Sequence, residues 1–441
     1  MGKKISQVKE ANSDKKILRY IIVFPLLAWL VKMIIMFNIQ AGGWLGADGE
    51  NYIAGVDALM INGFFAEEPK LSYWPAGYPL MLWPIGEISP SKFLYIVSVI
   101  QSTFYAYATY FLTKQLLKST IKYLSFTVSL LISFNPTLSL STLAIGYEAP
   151  IAACFMMIIA LVIKGYGAEI DRKYWISVIG ISSWFAISIF MQPRFLLIGF
   201  LFVLVWTLKR SSKKVAAITV ISCSLIMSIT PAIMIYRNIN VINQAKISTN
   251  LGVTMAIGAG DETTGGYSRK GPVVPCEPIP PAKTATDDQQ VRCVIDWYLA
   301  NPVKSVKLAF NKSQFFWSPW SGPKAEGTMA RNPWLKISPA KSITNNVDGS
   351  RLVTGPVGVF ISYLWILGQI IFLFWGFKVM RGISDQAKLI SYLLLLPVVL
   401  SWLISIGTIG DHRFRIPTMS LSLILQGAGF LALRKKFVKA L

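Results

Sequence analysis

The chain has 441 residues, of which 54% are hydrophobic and only 15% are charged. Soluble globular proteins usually carry about 25% charged residues, so this composition predicts an integral membrane protein. A single histidine and four scattered cysteines exclude a histidine-rich metal cluster, an all-cysteine zinc site and most histidine-based triads. The sequence also lacks a glycine-rich phosphate loop, so any energy must arrive with a substrate or from a gradient.

Ten apolar stretches approach or exceed the ~20 helical residues that a bilayer core requires. They lie near 17–39, 92–113, 123–143, 149–164, 174–190, 195–208, 215–235, 356–377, 389–408 and 416–433. The pair 174–190 and 195–208 is interrupted at Gln192-Pro193-Arg194 and is either tilted or re-entrant. The pattern predicts an all-α polytopic membrane protein with about ten transmembrane helices.

The formal net charge of +22 is concentrated in short connections. Lys and Arg cluster before the first span and in alternate connections, at 3–19, 114–122, 172–173, 209–214, 378–388 and 434–439. Short basic loops stay in the cytoplasm, so both termini are predicted to lie on the cytoplasmic side of a plasma (inner) membrane. This distribution accounts for much of the charge without a nucleic-acid partner.

Two connections on the predicted outer side are too long to be turns, namely 40–91 and 236–355. They divide the chain into an N-terminal transmembrane module (1–235) with a catalytic first outer loop (40–91), a small mixed outer-face domain (236–355) and a C-terminal transmembrane module (356–441). Function is expected at the outer face. Cys276 and Cys293 both lie in the outer domain, and the sequence leaves open whether they form a disulfide.

The first outer loop places an acidic residue before an amphipathic helix. Tyr52, Val56 and Leu59 follow Asp48 at helical spacing. Asp48 would sit at the helix N-terminus, where the helix dipole favours negative charge, either as a structural N-cap or as a functional carboxylate. The aromatic-proline turn 73–79 then returns the chain to the bilayer and holds this carboxylate near the lipid headgroups.

Five short motifs occur in order along nearly the whole chain. They are Asp48-x-x-x-Tyr52 with Pro75-x-Gly77-Tyr78-Pro79; Asn135-Pro136 with Tyr147-Glu148-Ala149-Pro150; Arg237-Asn238 with Ile247-Ser248-Thr249-Asn250, Gly252, Gly258 and Gly265; Tyr298-x-x-Asn301-Pro302 with Lys312 and Trp317; and Arg413-Phe414-Arg415-Ile416-Pro417. Together they resemble the GT-C class of polytopic glycosyltransferases, in particular the bacterial branch related to protein O-mannosyltransferases and the lipid A aminoarabinose transferase.

This resemblance implies a donor sugar carried on a polyprenyl phosphate and a lipid, glycan or protein hydroxyl as the acceptor. An acceptor hydroxyl that attacks the anomeric carbon must lose a proton, which a nearby carboxylate can take as general base. The phosphate leaving group needs positive charge rather than an acid, and the planar fork of Arg suits phosphate oxygens. Direct displacement would invert the anomeric carbon.

The candidate catalytic residues are three carboxylates of the outer loops. Asp48 is the predicted general base and Glu50 is its local alternative. Glu148 starts the fourth span, where it either caps the helix, orients the acceptor, shares the proton network or binds a divalent cation with Asp48. No residue is assigned as a dedicated metal ligand, and a divalent cation is left open.

The candidate substrate-binding residues are mostly cationic. Arg413 and Arg415 flank Phe414 before the last span, where they would bracket a phosphate or snorkel to the interface. The resemblance extends this role to Tyr52, Tyr78, Arg237 and Asn238. Arg194 is a further candidate, although the family often shows Arg-Pro where this chain has Pro193-Arg194. His412 is either an interfacial polar residue or a substrate-binding one.

The composition alone also allows a transporter or flippase, or a non-catalytic relative that binds glycolipids. A transporter should carry ionisable or helix-breaking residues near mid-membrane in matching halves. Here the polar residues gather at the predicted outer ends and loops, which favours the enzyme.

Overall fold

The computed structural model describes residues 2–39, 44–45, 48–167, 170–208, 212–267, 273–278, 284–319, 324 and 355–440. These ranges are mostly helical. The helices are α1 Gly2–Ile39, α2 Gly49–Asn62, α3 Lys70–Tyr73, α4 Gly77–Ile88, α5 Phe93–Leu117, α6 Leu124–Phe134, α7 Pro136–Leu140, α8 Glu148–Lys164, α9 Arg172–Met191, α10 Phe195–Leu208, α11 Lys213–Ile242, α12 Leu251–Ile257, α13 Asp287–Ala300, α14 Pro302–Phe316, α15 Pro356–Arg381, α16 Asp385–Gly407 and α17 Ile416–Ala440. Short 3₁₀ turns occur at Pro90–Lys92, Ser141–Leu143 and His412–Phe414.

Six helices in the described ranges are long and apolar enough to cross a membrane. They are the Asp14–Phe37 part of α1, then α9, α11, α15, α16 and the Ile416–Leu433 part of α17. A seventh arises if α6 and the helical stretch Pro136–Leu143 count as one span, although the axis bends by 55° between them. The prediction of a helical, multi-pass protein is therefore confirmed.

Three further stretches that the sequence predicts as spans, near 92–113, 149–164 and 195–208, form α5, α8 and α10. These helices are either shorter or less apolar than the six candidate spans. Length and apolarity in the described residues therefore support six or seven spans rather than about ten.

Helix α8 forms the centre of the bundle. Its side chains are apolar on all sides, and nearly all of them are buried, which is the expected pattern for a helix surrounded by other helices. It packs against α5, α9 and α17. The first residue of this central helix is Glu148, so the fold places a carboxylate at the end of the core.

Helices α15 and α17 approach each other closely because glycines lie at their contact. A Cβ atom on Gly376 would lie 1.7 Å from the carbonyl oxygen of Leu425, and one on Gly429 would lie 2.6 Å from that of Phe372. Small residues commonly allow such close helix contacts in membranes. This packing joins α15 to the middle of α17, a helix that directly follows the Arg413-Phe414-Arg415 motif.

The segment predicted as an outer domain contains helices α12, α13 and α14. A separate apolar cluster holds α12 and α13 together through Ala256, Ala259, Val274 and Val294. The structure contains the Cys276–Cys293 disulfide that the sequence leaves open. Residues 268–272, 279–283, 320–323 and 325–354 of this predicted domain, and 40–43 and 46–47 of the predicted first loop, lie outside the described residues.

Lys312 fastens α14 to the end of α16. Its Nζ atom donates to the carbonyl oxygens of Ile406 and Thr408 at 3.0 and 2.7 Å and to the Tyr298 hydroxyl at 2.7 Å. The side chain is fully buried. Close by, the Gly410 amide donates to the carbonyl oxygen of Gly265 at 2.8 Å. These contacts hold the loop between α16 and α17, which carries Arg413 and Arg415.

Lys312→Met is expected to lower stability and to change its pH dependence. The carbonyls of Ile406 and Thr408 lose a donor, at about 1–3 kcal/mol for each buried group left unsatisfied. Burial lowers the pKa of Lys312 from 10.5 to about 7. Between these values the unfolded chain binds more protons than the folded chain, so Lys312 makes the free energy of unfolding rise with pH. The variant should lack this rise in thermal unfolding curves recorded in detergent.

Lys304→Met is the matched control on the same helix. Lys304 is 57% exposed and pairs with Asp261, and such exposed ion pairs contribute little to stability. Equal unfolding midpoints and equal pH slopes in the two variants would contradict the role assigned to Lys312.

Candidate active site

Two carboxylates come together because two short parallel strands pair across the sequence. Strand β1, Trp44–Leu45, pairs with β2, Ala144–Ile145, in the register Trp44 to Ala144 and Leu45 to Ile145. Asp48 and Glu148 each lie three residues beyond their strand, at the start of α2 and α8. Both carboxylates thus lie at helix N-termini, where the helix dipole stabilises negative charge.

Arg413 joins these two carboxylates in a cluster of three charges. Its Nη1 atom donates to Asp48 Oδ2 and its Nε atom donates to Glu148 Oε1. Its Nη2 atom lies 3.4 Å from the Tyr52 hydroxyl. Burial alone would lower the pKa of Arg413, but the carboxylates of Asp48 and Glu148 raise it well above its ordinary value. The two neighbouring carboxylates therefore favour the charged form of the Arg413 guanidinium.

The two carboxylates differ in accessibility. The Asp48 side chain is 24% exposed, whereas that of Glu148 is 2% exposed. Asp48 occupies the N-cap position of α2 but makes no side-chain capping hydrogen bond. Its Oδ2 atom accepts from Arg413 rather than from its own helix, so a purely capping role does not describe it. Asp48 is the carboxylate of this pair that an incoming hydroxyl can approach.

Gly146 provides the space that the Glu148 carboxylate occupies. A Cβ atom at position 146 would lie 2.5 Å from Glu148 Oε2. The Gly146 amide also donates to the Tyr78 hydroxyl at 3.0 Å. A larger residue at position 146 would therefore have to displace the Glu148 carboxylate from its place in the candidate site.

Gly146→Ala is expected to displace the Glu148 side chain and to weaken its contact with Arg413. Overpacking of this kind usually costs about 1–3 kcal/mol. The variant should show a lower unfolding midpoint in detergent. Gly368→Ala is the control, since no atom lies within 4 Å of a Cβ atom built there. Equal unfolding midpoints in the two variants would contradict the need for this space.

Three tyrosines form one wall of the cluster. The rings of Tyr52 and Tyr78 pack edge to face at 5.0 Å, and Tyr147 packs against Tyr52 at 6.4 Å. Burial raises the pKa of all three phenols, so they remain neutral. The Tyr78 hydroxyl accepts from Gly146 and from Gln101, which indicates that Tyr78 braces the turn rather than facing a substrate.

Arg194 lies in the connection between α9 and α10 and approaches the Tyr147 ring. Its guanidinium stacks on the Phe414 ring at 4.3 Å and lies 5.9 Å from the Tyr147 ring centre, while Arg413 lies 5.1 Å from that same ring. The Nε and Nη2 atoms of Arg194 are buried and have no hydrogen-bond partner within the described residues. The fold therefore brings a second cation, with unused donors, close to the cluster.

Arg415 and His412 lie on the same loop but contact different groups. Arg415 donates to Gln369 of α15 and stacks on Trp317 at 4.6 Å. Burial lowers the pKa of Arg415 to about 9. Burial and the Arg415 charge lower the pKa of His412 to about 3, so its imidazole is neutral. Snorkelling does not describe either arginine of this loop, since both Arg413 and Arg415 are buried.

Three further predicted site residues are not brought into the cluster. Glu50 lies on the exposed face of α2. Arg237 donates to the backbone carbonyls of Phe64, Ala66 and Leu71, and Asn238 donates to those of Lys246 and Ile247. These contacts tie α11 to residues 64–72 and to the segment after α11. They favour a bracing role for Arg237 and Asn238 over the predicted substrate-binding role.

Several residues near the site received no role from the sequence. Tyr147 lies against both Arg194 and Arg413, although it stands within a recognised motif. The Asp411 side chain accepts from the Arg413 amide at 2.8 Å and so shapes the 3₁₀ turn. The sequence did contain a signal for Gln369. A side-chain amide buried in the apolar helix α15 is energetically unfavourable unless it has a hydrogen-bond partner, so a polar partner could have been expected.

A metal ion would need several free oxygen ligands. Within the described part of the chain, no three His, Cys, Asp or Glu side chains are grouped so as to hold one. Asp48 and Glu148 are already bonded to a guanidinium. The donor set around Arg413 therefore does not fit a dedicated divalent cation site.

Comparisons with known proteins give a partial structural similarity at low sequence identity. No protein-family model and no curated protein matches the sequence. Similar solved structures include oligosaccharyltransferases from Archaeoglobus fulgidus. The structure tethered to an acceptor peptide gives a TM-score of 0.49, and the apo form gives 0.47, both at 11% identity.

The likeness covers nearly all of this chain but only part of each neighbour. For the peptide-tethered structure it spans 95% of this chain and 50% of that chain. For the apo form it spans 94% of this chain and 51% of that chain. A complex of oligosaccharyltransferase AglB with an inhibitory peptide and a dolichol-phosphate gives a TM-score of 0.43 at 11% identity, over 96% of this chain and 52% of that one. The chain therefore spans about half the length of these solved structures.

Proposed function

We propose that this chain is a membrane glycosyltransferase that moves a sugar from a polyprenyl-phosphate-linked donor to a hydroxyl group of a lipid, glycan or protein. The observation that carries the proposal is the cluster of Asp48, Arg413 and Glu148, which combines an accessible carboxylate with a buried guanidinium. Those two groups are what an inverting displacement from a phosphate requires.

Asp48 acts as the general base in this proposal. The acceptor hydroxyl attacks the anomeric carbon while its proton passes to a carboxylate oxygen of Asp48. The bond between the anomeric carbon and the phosphate oxygen breaks, and its electron pair leaves with the polyprenyl phosphate. Because the attack is direct, the configuration at the anomeric carbon inverts.

Arg413 and Arg194 supply the positive charge for the leaving phosphate. A donor phosphate would compete with Asp48 for the Nη1 atom of Arg413, since both are anionic acceptors of the same N–H group. Its arrival would free a carboxylate oxygen of Asp48 at the moment when the base is needed. Arg194 has two buried donors without a partner within the described residues, which suits it to a phosphate oxygen.

Glu148 is a positioning residue in this scheme. It is buried and bonded to Nε of Arg413, so it fixes the direction in which the guanidinium points. It can retain this contact when Arg413 turns its remaining donors to a phosphate. In this scheme Asp48 exchanges Arg413 for the acceptor hydroxyl, whereas Glu148 keeps its bond to Arg413. These two different tasks explain why the site contains two acids around one arginine.

The proposal includes a location for this chemistry. The candidate site lies in the connections that the basic-residue pattern predicts to be outside, with both termini cytoplasmic. We propose an active site at the outer face of a plasma (inner) membrane, with about ten crossings when α5, α8 and α10 count as spans. The division into modules 1–235, 236–355 and 356–441 belongs to the same proposal.

The direct test is mass spectrometry of glycolipids and glycoproteins from cells with and without the gene. The expected result is the loss of one sugar unit from a surface glycan, restored by the wild-type chain. Vectorial uptake of a solute or lipid without formation of a glycosidic bond would instead indicate a transporter.

A further inference from the structure

A crevice between α1 and α5 contains two cavities in series. The first has a volume of about 810 Å³ and the second about 440 Å³. Their linings come from Asp14, Lys15, Leu18, Leu117, Lys118, Ser119, Thr120 and Lys122 for the first, and from Ile22, Pro25, Leu26, Trp29, Thr103, Ala106, Tyr107 and Tyr110 for the second. The lining residues advance along α1 while they recede along α5, so the two cavities follow one another along a single crevice.

The first cavity is basic. Three lysines, Lys15, Lys118 and Lys122, line it together with one acid, Asp14. Asp14 pairs with Lys122 at 3.6 Å, and both side chains are about 40% exposed. Lys15 and Lys118 are exposed and pair with no carboxylate within the described residues. The cavity therefore has excess positive charge, next to the hydroxyl groups of Ser119 and Thr120.

The second cavity is apolar and open to the side. Ile22, Pro25 and Leu26 line it from α1, and Tyr107 and Tyr110 line it from α5. Leu26 is 52% exposed and Tyr107 is 53% exposed. Apolar side chains exposed on the flank of a transmembrane helix face lipid chains. The groove therefore has the chemistry of an acyl-chain site.

The spacing of the two cavities matches one leaflet. From Lys15 to Leu26 the helical rise is about 16 Å, which is close to half of the roughly 30 Å hydrocarbon core. The basic cavity adjoins the N-terminal end of the Asp14–Phe37 span, whereas Asp48 follows its C-terminal end. The crevice thus lies at the opposite end of the bundle from the carboxylate cluster and is independent of it.

We propose that this crevice binds an anionic phospholipid of the bilayer, with the headgroup phosphate among Lys15, Lys118 and Lys122 and one acyl chain along the groove. Basic pockets between transmembrane helices are suited to anionic headgroups. Lys114 precedes Leu117 of the first lining on α5 and donates at 3.0 Å to the hydroxyl of Tyr110, which lines the second cavity. Its charge adds to the positive potential at the glycerol level of such a lipid.

The first test measures retention of phosphatidylglycerol and of phosphatidylcholine with the same acyl chains by native mass spectrometry of the full chain in detergent. The triple variant Lys15→Gln, Lys118→Gln, Lys122→Gln should bind phosphatidylglycerol roughly a hundredfold more weakly, since each lysine near a lipid surface contributes to anion binding. Lys164→Gln, Lys213→Gln, Lys214→Gln is the control triple. It removes the same charge from exposed positions that line neither cavity, and it should bind like the wild type.

The second test addresses the acyl-chain groove. Ala106→Trp places a large side chain in the groove, while Ala217→Trp places one on the exposed face of α11. Only Ala106→Trp should weaken binding of long-chain phosphatidylglycerol, and it should leave a six-carbon analogue unaffected. The proposal would be overturned by equal losses in both triple variants, by equal retention of the two headgroups in the wild type, or by unchanged long-chain binding in Ala106→Trp.

Discussion

Asp48→Asn is expected to reduce sugar transfer by roughly 100- to 10,000-fold, the usual contribution of a general base. The amide has nearly the same shape as the carboxylate but cannot accept the acceptor's proton. Arg413 keeps its contact with Glu148 in this variant, so the site should stay folded. The measurement is the initial rate of glycosidic bond formation by purified protein with a polyprenyl-phosphate sugar, alongside the abundance of the protein in the membrane.

Glu50→Gln is the matched control for this experiment, since it makes the same chemical change two residues away. Glu50 is exposed in the first turn of α2 and lies outside the cluster. Its variant should transfer at the wild-type rate. A loss in Glu50→Gln combined with full activity in Asp48→Asn would transfer the base role to Glu50.

The helices could be predicted from sequence because each is encoded locally. Apolar length located the spans, and the predicted stretches 174–190 and 215–235 fall within α9 and α11. The break at Gln192-Pro193-Arg194 separates α9 from α10 as expected, since proline disfavours a helical residue before it. In α5, polar side chains are interspersed among the apolar ones. The sequence pattern located this helix, but α5 is less apolar than the six candidate spans.

The sequence leaves the meeting of Asp48 with Glu148 as one of several alternatives, because it depends on pairing between strands 100 residues apart in the chain. Each strand has only two residues, too short for an alternating pattern. The motifs supplied both carboxylates and Arg413 separately, but a sequence carries no distance between them. The same limit explains why Glu148 could be read equally as a helix cap.

The assignment of Arg237 shows a different limit. An arginine near a predicted outer surface could bind a phosphate or could satisfy backbone carbonyls of a loop. The structure gives it carbonyl partners at Phe64, Ala66 and Leu71. Buried carbonyls must find donors, and Arg237 supplies them to this loop from another helix. Sequence patterns record the arginine and say nothing about which acceptors surround it.

Arg413→Met is expected to abolish transfer and also to destabilise the protein. The variant leaves Glu148, whose side chain is 2% exposed, without its cationic partner. Removing one member of a buried ion pair usually costs about 3–5 kcal/mol, because the remaining charge stays desolvated. The unfolding midpoint in detergent and the transfer rate should both fall. Loss of activity in this variant alone would therefore not separate binding of a phosphate from support of the fold.

The double variant Arg413→Met, Glu148→Gln separates the two effects. A neutral amide in place of the Glu148 carboxylate removes the uncompensated buried charge, so the unfolding midpoint should return most of the way to the wild-type value. Transfer should stay lost, because no guanidinium remains between Asp48 and the donor phosphate. Arg413→Lys should have a transfer rate and an unfolding midpoint between those of the wild type and those of Arg413→Met. It keeps a positive charge but lacks the planar fork that reaches both carboxylates. Recovery of transfer in the stabilised double variant would show that Arg413 serves the fold and that another cation, with Arg194 the nearest candidate, holds the leaving phosphate.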